Sequence, residues 1–345
     1  MRDIRSAVRL GDPQDIIMAV PRLLRFHPSH SLVLLGVDRA EVVATVRVDL
    51  PPARHRRELA EQLVDLVSGH AVSAVVLLVV TDNSTGPTVD GPPHTGLIDV
   101  VKNFLHAAGV HEVRSFWAQS TRLGTRWCSY DDPTMTGNLP DPTATQLAAT
   151  SVAAGLVTYA SREELAAQLT PADDETLARR QALLDKATTT QCIDHDPRAA
   201  IRLVSDTIAA FHHRGYSLGD DDVVQLASAL SDPRVRDACL ALVQGELADA
   251  AEQLWLELTR GCPTSVRSNP ATLLAFSAYV HGNGTLASIA LDHALTAHPA
   301  HRLGVLLRTA LDAGLSPDQL VTIASNPTPT EPSSLFEVDL NGTIS

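Results

Sequence analysis

The chain has 345 residues, 44% of them hydrophobic and 19% charged, a composition typical of a globular protein of about two domains. Its net charge of −13 lies mostly in the second part, since residues 1–147 carry 14 basic and 16 acidic side chains and residues 148–345 carry 13 and 24. Such an acidic surface repels phosphate backbones, so we expect no binding of nucleic acid. The longest apolar run, around Val75–Val80, is too short for the ~20 residues that span a bilayer.

Residues 1–10 and the cysteines predict the cellular compartment of the protein. Residues 1–10 mix charges and contain no apolar core of a signal peptide, so we expect a cytoplasmic protein without a membrane span. The cysteines are far apart and form no C-x-x-C pair, which favours reduced, buried thiols over disulfides or zinc; they are Cys128, Cys192, Cys239 and Cys262. Neither Lys102 nor Lys186, the only lysines, stands in a P-loop. No cofactor is predicted.

Strands and helices alternate over the first part of the chain. Ser31–Val37 is a continuous apolar run and Glu41–Leu50 alternates apolar and polar residues, so both are predicted strands. Further elements are predicted in chain order: a helix over 54–68, a strand over Ala71–Thr81, a helix over Leu97–Ala108, and a hairpin of Glu112–Gln119 and Thr125–Tyr130. The order ββαβαββ indicates an α/β domain with a mixed sheet, which we place at residues 1–142.

Strand patterns largely end at the proline-bearing segment Pro133–Pro142, which we interpret as a linker. Residues 143–324 are predicted to form an acidic, all-α domain, and the Pro/Ser/Thr-rich residues 325–345 a disordered tail. When Pro299 is aligned with position 32 of a tetratricopeptide repeat, small or apolar residues fall on several consensus positions and Gly282-Asn283-Gly284 falls on the turn. The aromatic positions do not match and no second copy follows, so the pattern predicts a tetratricopeptide-like helical hairpin rather than a peptide-binding solenoid.

One short motif suggests a hydrolase. Gly215–Gly219 matches the G-x-S-x-G nucleophile elbow, which places its serine between a strand and a helix. The preceding residues, Arg198–Arg214, have helical spacing instead, and Ser217 heads an S-x-x-D sequence. We therefore predict that Ser217 caps the next helix and is not a nucleophile.

Two other patterns suggest phosphate or metal binding. The His-Gly-Asn-Gly-Thr sequence at 281–285 lacks the strand and the third glycine of a dinucleotide site, so an interhelical turn is the better interpretation. Histidines cluster at His293, His298 and His301, and Cys192–Asp196 mixes ligand types. None of them forms the i, i+4 histidine pair of a helical zinc enzyme, and no metal site is predicted.

A group of polar residues at predicted strand ends is the candidate ligand site. His27 and Ser29 precede the first strand, Arg47 and Asp49 share one face of the second, and Asp82 follows the third. Ligands of α/β proteins commonly bind at strand ends. A second interpretation stays open, in which Arg47 and Asp49 form a surface ion pair and Ser29 caps a turn.

Several passages resemble an actinobacterial family known only as domain of unknown function 4192. They are Val20–Ser29 running into Ser31-Leu32-Val33, Arg47–Pro51, Ala154-Gly155 followed by Ser161–Leu165, Leu274-Ala275-Phe276 and Gly282-Asn283-Gly284. The resemblance extends to about Leu320. It implies a cytoplasmic, actinobacterial protein of two parts and provides no activity or catalytic residues. It also implies a glycine where this chain has Arg25.

The sequence therefore predicts no catalytic residue and leaves two function classes open. The first is a non-catalytic module that contacts a protein partner or senses a small polar ligand, with neither nucleic acid nor membrane as a partner. The alternative is an enzyme, such as a hydrolase, with its site at the strand ends of the N-terminal domain. A deep pocket with converging polar groups would favour a ligand or substrate site.

Overall fold

A computed structural model describes residues 12–39, 41–68, 72–81, 91–140, 157–190, 196–214 and 217–325. The chain forms two compact units, one of Met1–Ala167 with Asp312–Leu315 and the other of Gln168–Leu311 with Ser316–Ser345. The predicted boundary between residues 142 and 143 falls within 141–156, and nearly all of the predicted tail lies beyond 325. Both are outside the described residues and stay predictions.

The first unit contains a mixed six-stranded sheet in the order β2-β1-β3-β4-β5-β6. The strands are β1 (Ser31–Asp38), β2 (Glu41–Asp49), β3 (Ala74–Val80), β4 (Glu112–Ala118), β5 (Arg126–Ser129) and β6 (Thr136–Asn138). Its helices are α1 (Pro13–Leu24), α2 (Arg56–Ser68, after a 3-10 turn at Ala53–His55), α3 (Thr95–Ala107) and α4 (Arg162–Ala167). β3 and β4 pair in parallel, and the other neighbouring strands pair antiparallel. The predicted mixed α/β sheet is confirmed, with α1 and β6 in addition to the predicted elements.

The central strands are apolar along their whole length because both of their faces are buried. Leu32 and Leu34 of β1 and Leu77 of β3 belong to a core that α2 and α3 complete. The alternate side chains, including Val33 and Leu78, point to the opposite face and are equally buried. A continuous apolar run is the pattern of a strand covered on both sides.

Helix α1 was not predicted, because a proline interrupts its apolar pattern. Asp12 caps it by accepting a 3.0 Å hydrogen bond from the backbone N–H of Gln14, and Pro13 occupies the first turn, where no N–H is needed. Pro21 lies in the last turn, and the helix ends at Arg25, which is left-handed at φ 67°. The following residue, Phe26, forms a backbone bridge with Tyr159.

The described residues of the second unit are mostly helical. Its helices are α5 (Asp174–Thr190), α6 (Pro197–Arg214), α7 (Asp220–Leu230), α8 (Pro233–Ala238, continued by a 3-10 turn at Cys239–Val243), α9 (Ala248–Gly261), α10 (Thr264–Val280), α11 (Gly284–Ala297), α12 (Arg302–Asp312) and α13 (Pro317–Ser325). Buried Ala and Leu residues of α9, α10 and α11 form much of its core. This mostly helical C-terminal part agrees with the prediction.

Among the described residues, no helix combines the length and the apolar character needed to cross a bilayer.

Candidate functional site

One edge of the sheet gathers the ends of four strands. Ser31, the first residue of β1, pairs with Asp49 at the end of β2 and with Val80 at the end of β3. Val80 in turn pairs with Ala118 at the end of β4. The carboxyl ends of the parallel strands β3 and β4 therefore lie at this edge, where α/β proteins commonly bind their ligands.

Three of the predicted site residues meet at the β1–β2 corner of this edge. Arg47 donates from Nε to Oγ of Ser31 at 2.8 Å and from Nη2 to the carbonyl of Ser29 at 3.4 Å. The same Nη2 lies 2.7 Å from Oδ1 of Asp49. The Asp49 side chain is 82% exposed, so its ion pair faces water, whereas Arg47 is only 19% exposed. Asp82 lies outside the described residues.

His27 belongs to a different group at the same edge. Its Nδ1 lies 2.8 Å from Oγ1 of Thr121, a buried residue in the turn after β4. The backbone N–H of His27 donates to the carbonyl of Tyr159 at 3.1 Å, which fixes the segment before β1. Burial, and secondarily the charge of Arg122, lower the pKa of His27, so its imidazole is neutral at neutral pH.

A cavity of about 430 Å³ lies beside His27. It is lined by Met18, Pro21, Arg22, His27, Thr121, Arg122, Leu123, Leu139, Pro140 and Thr158. Two of these residues are arginines and none is Asp or Glu, so the described part of the lining carries a net positive charge. The volume lies in the lower part of the range of small-molecule pockets, ~300–1,000 Å³.

The two arginines of the cavity differ in their partners. Arg122 donates from Nη2 to the carbonyl of Ala160 at 3.2 Å. Nη1 of Arg22 is buried and has no hydrogen-bond partner among the described residues. Burial also lowers the pKa of Arg22, because its charge is partly removed from water. A buried cationic donor without a partner is unfavourable unless an acceptor reaches it.

Sequence reasoning identified His27 but missed the other polar residues of this cavity. Arg22 lies in the Val20–Ser29 passage that resembles the family, and this position was the sequence signal available for it. Thr121 and Arg122 follow β4 in a turn that has no motif. Their position next to His27 depends on the pairing of β4 with β3, which the sequence does not show.

A second cationic group lies at the start of α3. The guanidinium of Arg56 packs against the first turn of α3 beside Gly96. A Cβ atom added to this glycine would lie 3.0 Å from Nη1 of Arg56. Nε of Arg56 is buried and has no partner among the described residues. Burial, then the charges of Arg56 and His30, lower the pKa of His94. Residues 82–90, which precede this turn, are outside the described part of the chain.

A family model described as Domain of unknown function (DUF4192) matches residues 13–318. The chain belongs to this family. The match begins with α1 and ends within α13, so it includes both units. Searches of curated proteins and of solved structures find no match.

One departure from the pattern expected of DUF4192 lies at the end of α1. Arg25 stands where the resemblance implies a glycine, and its φ of 67° is the left-handed conformation that glycine adopts without strain. The turn before Phe26 therefore has the backbone geometry that a glycine would favour, although the residue is an arginine.

The G-x-S-x-G motif of the DUF4192 chain lies in a helical context. Helix α6 precedes it, and a nucleophile elbow needs a strand at that place. The prediction that Ser217 caps the next helix is wrong: α7 begins at Asp220, Gly219 is its N-cap, and Asp222 accepts a 2.9 Å hydrogen bond from the N–H of Gly219. A shift of two residues along the chain moves the serine beyond reach of the free N–H groups. Among the described residues, none hydrogen-bonds the Ser217 hydroxyl.

Within the described ranges, no group of three or more His, Cys, Asp or Glu side chains is arranged to hold a metal ion. His301, one of the clustered histidines, instead accepts at Nδ1 a 3.1 Å hydrogen bond from the N–H of Gly304. Cys192 and His195 lie outside the described residues.

Proposed function

We propose that this DUF4192 protein is a non-catalytic module that binds a small anionic ligand in the cavity beside His27. The observation that carries the proposal is the buried Nη1 of Arg22, which has no partner among the described residues. Among the described residues, the lining contains two arginines and no carboxylate, which supports an anion rather than a cation or a neutral sugar.

Without a ligand, the protein leaves the buried Nη1 of Arg22 unsatisfied by the described residues. An unsatisfied buried donor costs about 1–3 kcal/mol, and more when the group is charged. A charge-assisted hydrogen bond from an anion would remove this cost and gain a short N–H···O contact. Arg22 therefore destabilises the free protein and stabilises the complex, a pattern expected of a binding residue and not of a structural one.

The test is thermal unfolding of the full chain in Tris chloride, with and without added acetate or inorganic phosphate at constant ionic strength. We expect at least one of these anions to raise the Tm of the wild-type chain. Arg22→Met should raise the Tm by a few degrees without added anion and abolish the further increase. Arg54→Met is the matched control, because Arg54 is exposed in the 3-10 turn before α2. Equal responses of the two variants would contradict the proposal.

The alternative of a hydrolase rests on the close approach of His27 to Thr121. A neutral imidazole 2.8 Å from a buried hydroxyl is the arrangement of a base and a nucleophile. His27 would take the hydroxyl proton as Thr121 adds to an acyl carbon, and would return it to the leaving alcohol. Water, deprotonated by His27, would then attack the acyl-threonine, and the proton would return to Oγ1 of Thr121 as the acid leaves. No carboxylate among the described residues hydrogen-bonds His27, so the third member of a triad is missing and this function ranks second.

Hydrolysis of p-nitrophenyl esters by the full chain tests this alternative. Activity that is lost in both Thr121→Val and His27→Gln would establish the enzyme and displace the sensing function. Activity that persists in Thr121→Val would exclude Thr121 as the nucleophile.

We also propose that α10 and α11 pack as a tetratricopeptide-like hairpin that provides a surface for a protein partner. Gly282 is left-handed at φ 79°, and Asn283 accepts at Oδ1 a 3.1 Å hydrogen bond from the N–H of Leu286 to cap α11. This turn is where the repeat alignment expects it. Binding of the full chain to immobilised peptides, with Leu306→Ser on the exposed side of α12 as a control surface change, tests the contact function.

A cytoplasmic location in an actinobacterium belongs to the same proposal. Three cysteines, Cys128, Cys239 and Cys262, are buried free thiols. Burial raises the pKa of Cys239 and of Cys262 to about 12, so both thiols are unreactive at neutral pH. Buried thiols of this kind are compatible with a reducing compartment.

A further inference from the structure

We propose that the cavity beside His27 takes a monocarboxylate with an apolar chain, an inference that rests on the small-anion binding proposed above. The cavity is lined by residues of two chemical kinds. Its polar lining comes from the arginines, His27 and the threonines, and its apolar lining comes from Met18, Pro21, Leu123, Leu139 and Pro140. A ligand that satisfies both kinds of residue carries one charged head and an apolar body.

The polar lining favours a carboxylate head. A guanidinium presents parallel N–H donors that match the two oxygens of a carboxylate, and Nη1 of Arg22 is the buried donor without a partner among the described residues. The neutral imidazole of His27 adds hydrogen-bonding capacity without a further charge. The head group is therefore held by arginine charge in a site that also contains a hydroxyl and an imidazole.

The position of α1 argues against a phosphate dianion. Arg22 lies in the last turn of α1, so the cavity is near the carboxyl end of that helix, where the helix dipole is negative. Protein phosphate sites commonly use the opposite, amino end of a helix, whose free N–H groups bind the oxygens. A single negative charge paired with Arg22 is better tolerated at this place than two charges.

The apolar lining includes both buried and exposed residues. Met18 and Leu139 are buried, whereas Leu123 is 57% exposed in the turn between β4 and β5. An aliphatic chain that contacts Leu123 would remove its apolar surface from water. Each methylene buried in this way contributes about 0.8 kcal/mol, which corresponds to about a fourfold gain in affinity.

Isothermal titration of the full chain with acetate, butyrate, hexanoate, octanoate and inorganic phosphate, at constant ionic strength, tests the inference. We expect the Kd to fall by about fourfold for each added methylene over the first members of the series. Phosphate should bind at least tenfold more weakly than hexanoate. Leu123→Ser should reduce the gain per methylene, because it replaces an apolar contact of the aliphatic chain. Leu306→Ser, which changes a 66% exposed leucine of α12, is the control and should not change this gain.

The outcomes separate this inference from the proposed function. If all carboxylates and phosphate bind with similar Kd values and Arg22→Met abolishes them, the anion site stands and the carboxylate inference is wrong. Tighter binding of phosphate than of hexanoate would also overturn the inference. If no anion binds and Arg22→Met leaves the Tm unchanged, the proposed function itself fails.

Discussion

Nε of Arg47 on β2 donates a 2.8 Å hydrogen bond to Oγ of Ser31, the fully buried first residue of β1. The Ser31 hydroxyl donates in turn to the carbonyl of Ser29 at 2.5 Å. The guanidinium therefore ties the outer strand to the segment that enters the sheet. The ion pair with Asp49 is the outer part of the same arrangement and faces water.

Arg47→Ala should lower the free energy of unfolding by about 1–2 kcal/mol, because it removes charge-assisted hydrogen bonds to a buried hydroxyl. Asp49→Ala should cost at most ~0.5 kcal/mol, since an exposed partner contributes little. Urea unfolding followed by circular dichroism measures both changes. Arg54→Ala, at an exposed position before α2, is the control and should have almost no effect. Equal, negligible changes for Arg47→Ala and Arg54→Ala would mean that the corner is only a solvated ion pair.

The sheet could be predicted from the sequence because burial determines its pattern directly. The two-sided burial of β1 and β3 produces continuous apolar runs, and the half-buried β2 alternates. Strand β6 was missed because it has three residues, Thr136–Asn138, too few for a period to appear, and it lies in the segment predicted as a linker. Helix α1 was missed because Pro21 interrupts an otherwise apolar helical pattern.

The candidate site was only partly predictable. Ser29, Arg47 and Asp49 adjoin strands whose pairing follows from a short hairpin, so their meeting could be expected. His27 and Thr121 are 94 positions apart, and only the parallel pairing of β3 and β4 brings them together. Long-range pairing of this kind leaves no local pattern, because each partner occupies an ordinary turn.

Arg25 provides a test of backbone strain at the end of α1. A left-handed conformation costs a non-glycine residue about 1 kcal/mol, and its φ here is 67°. Arg25→Gly should therefore be more stable than Arg25→Ala by about 1 kcal/mol, since both variants lose the side-chain contacts and only glycine relieves the strain. The difference in urea midpoint between these two variants is the measurement. No difference would mean that the turn relaxes away from the left-handed conformation in the alanine variant.

His281 should make the stability of the chain fall at alkaline pH. Its Nδ1 lies 2.9 Å from Oε2 of Glu252 and its Nε2 lies 3.0 Å from the carbonyl of Val243, so both ring nitrogens face acceptors. The hydrogen bond with Glu252 is the main cause that raises the pKa of His281 above its usual value. Because the folded pKa is the higher one, the stabilisation is complete below about pH 6.5 and is lost as the pH rises through the folded pKa.

Urea midpoints of the full chain between pH 5.5 and 9 measure this dependence. His281→Gln should lower stability by about 1–2 kcal/mol near pH 6 and have less effect at pH 9, because the charged hydrogen bond is already lost there. Glu252→Gln should also remove this pH dependence, because it removes the carboxylate that stabilises the charged imidazole of His281. A constant difference between wild type and His281→Gln across this range would show that folding does not change the pKa of His281.

His301 should make the stability of the chain fall at acid pH. Its Nδ1 accepts from the N–H of Gly304 at 3.1 Å, so it caps α12, and its Nε2 lies 3.1 Å from Oδ1 of Asn269. This geometry fits the neutral ring with the proton on Nε2. Burial, followed by the charges of Arg236 and His298, lowers the pKa of His301 to about 4. Since the unfolded chain takes up this proton first, the stabilisation is present above about pH 6.5 and is lost as the pH falls from 6.5 towards 4.

His301→Asn separates the cap from the charge, because asparagine supplies a capping oxygen and does not titrate. We expect this variant to lose less stability than wild type between pH 6.5 and pH 4.5, by about 1–2 kcal/mol in the difference of unfolding free energies. His301→Ala should also lack the acid-dependent loss but should be less stable at every pH by the ~1 kcal/mol of a missing cap. The comparison of variants at each pH cancels the titration of the acidic side chains that they share. Parallel stability curves for wild type and His301→Asn would show that His301 is protonated with a normal pKa and that α12 is capped without its neutral ring.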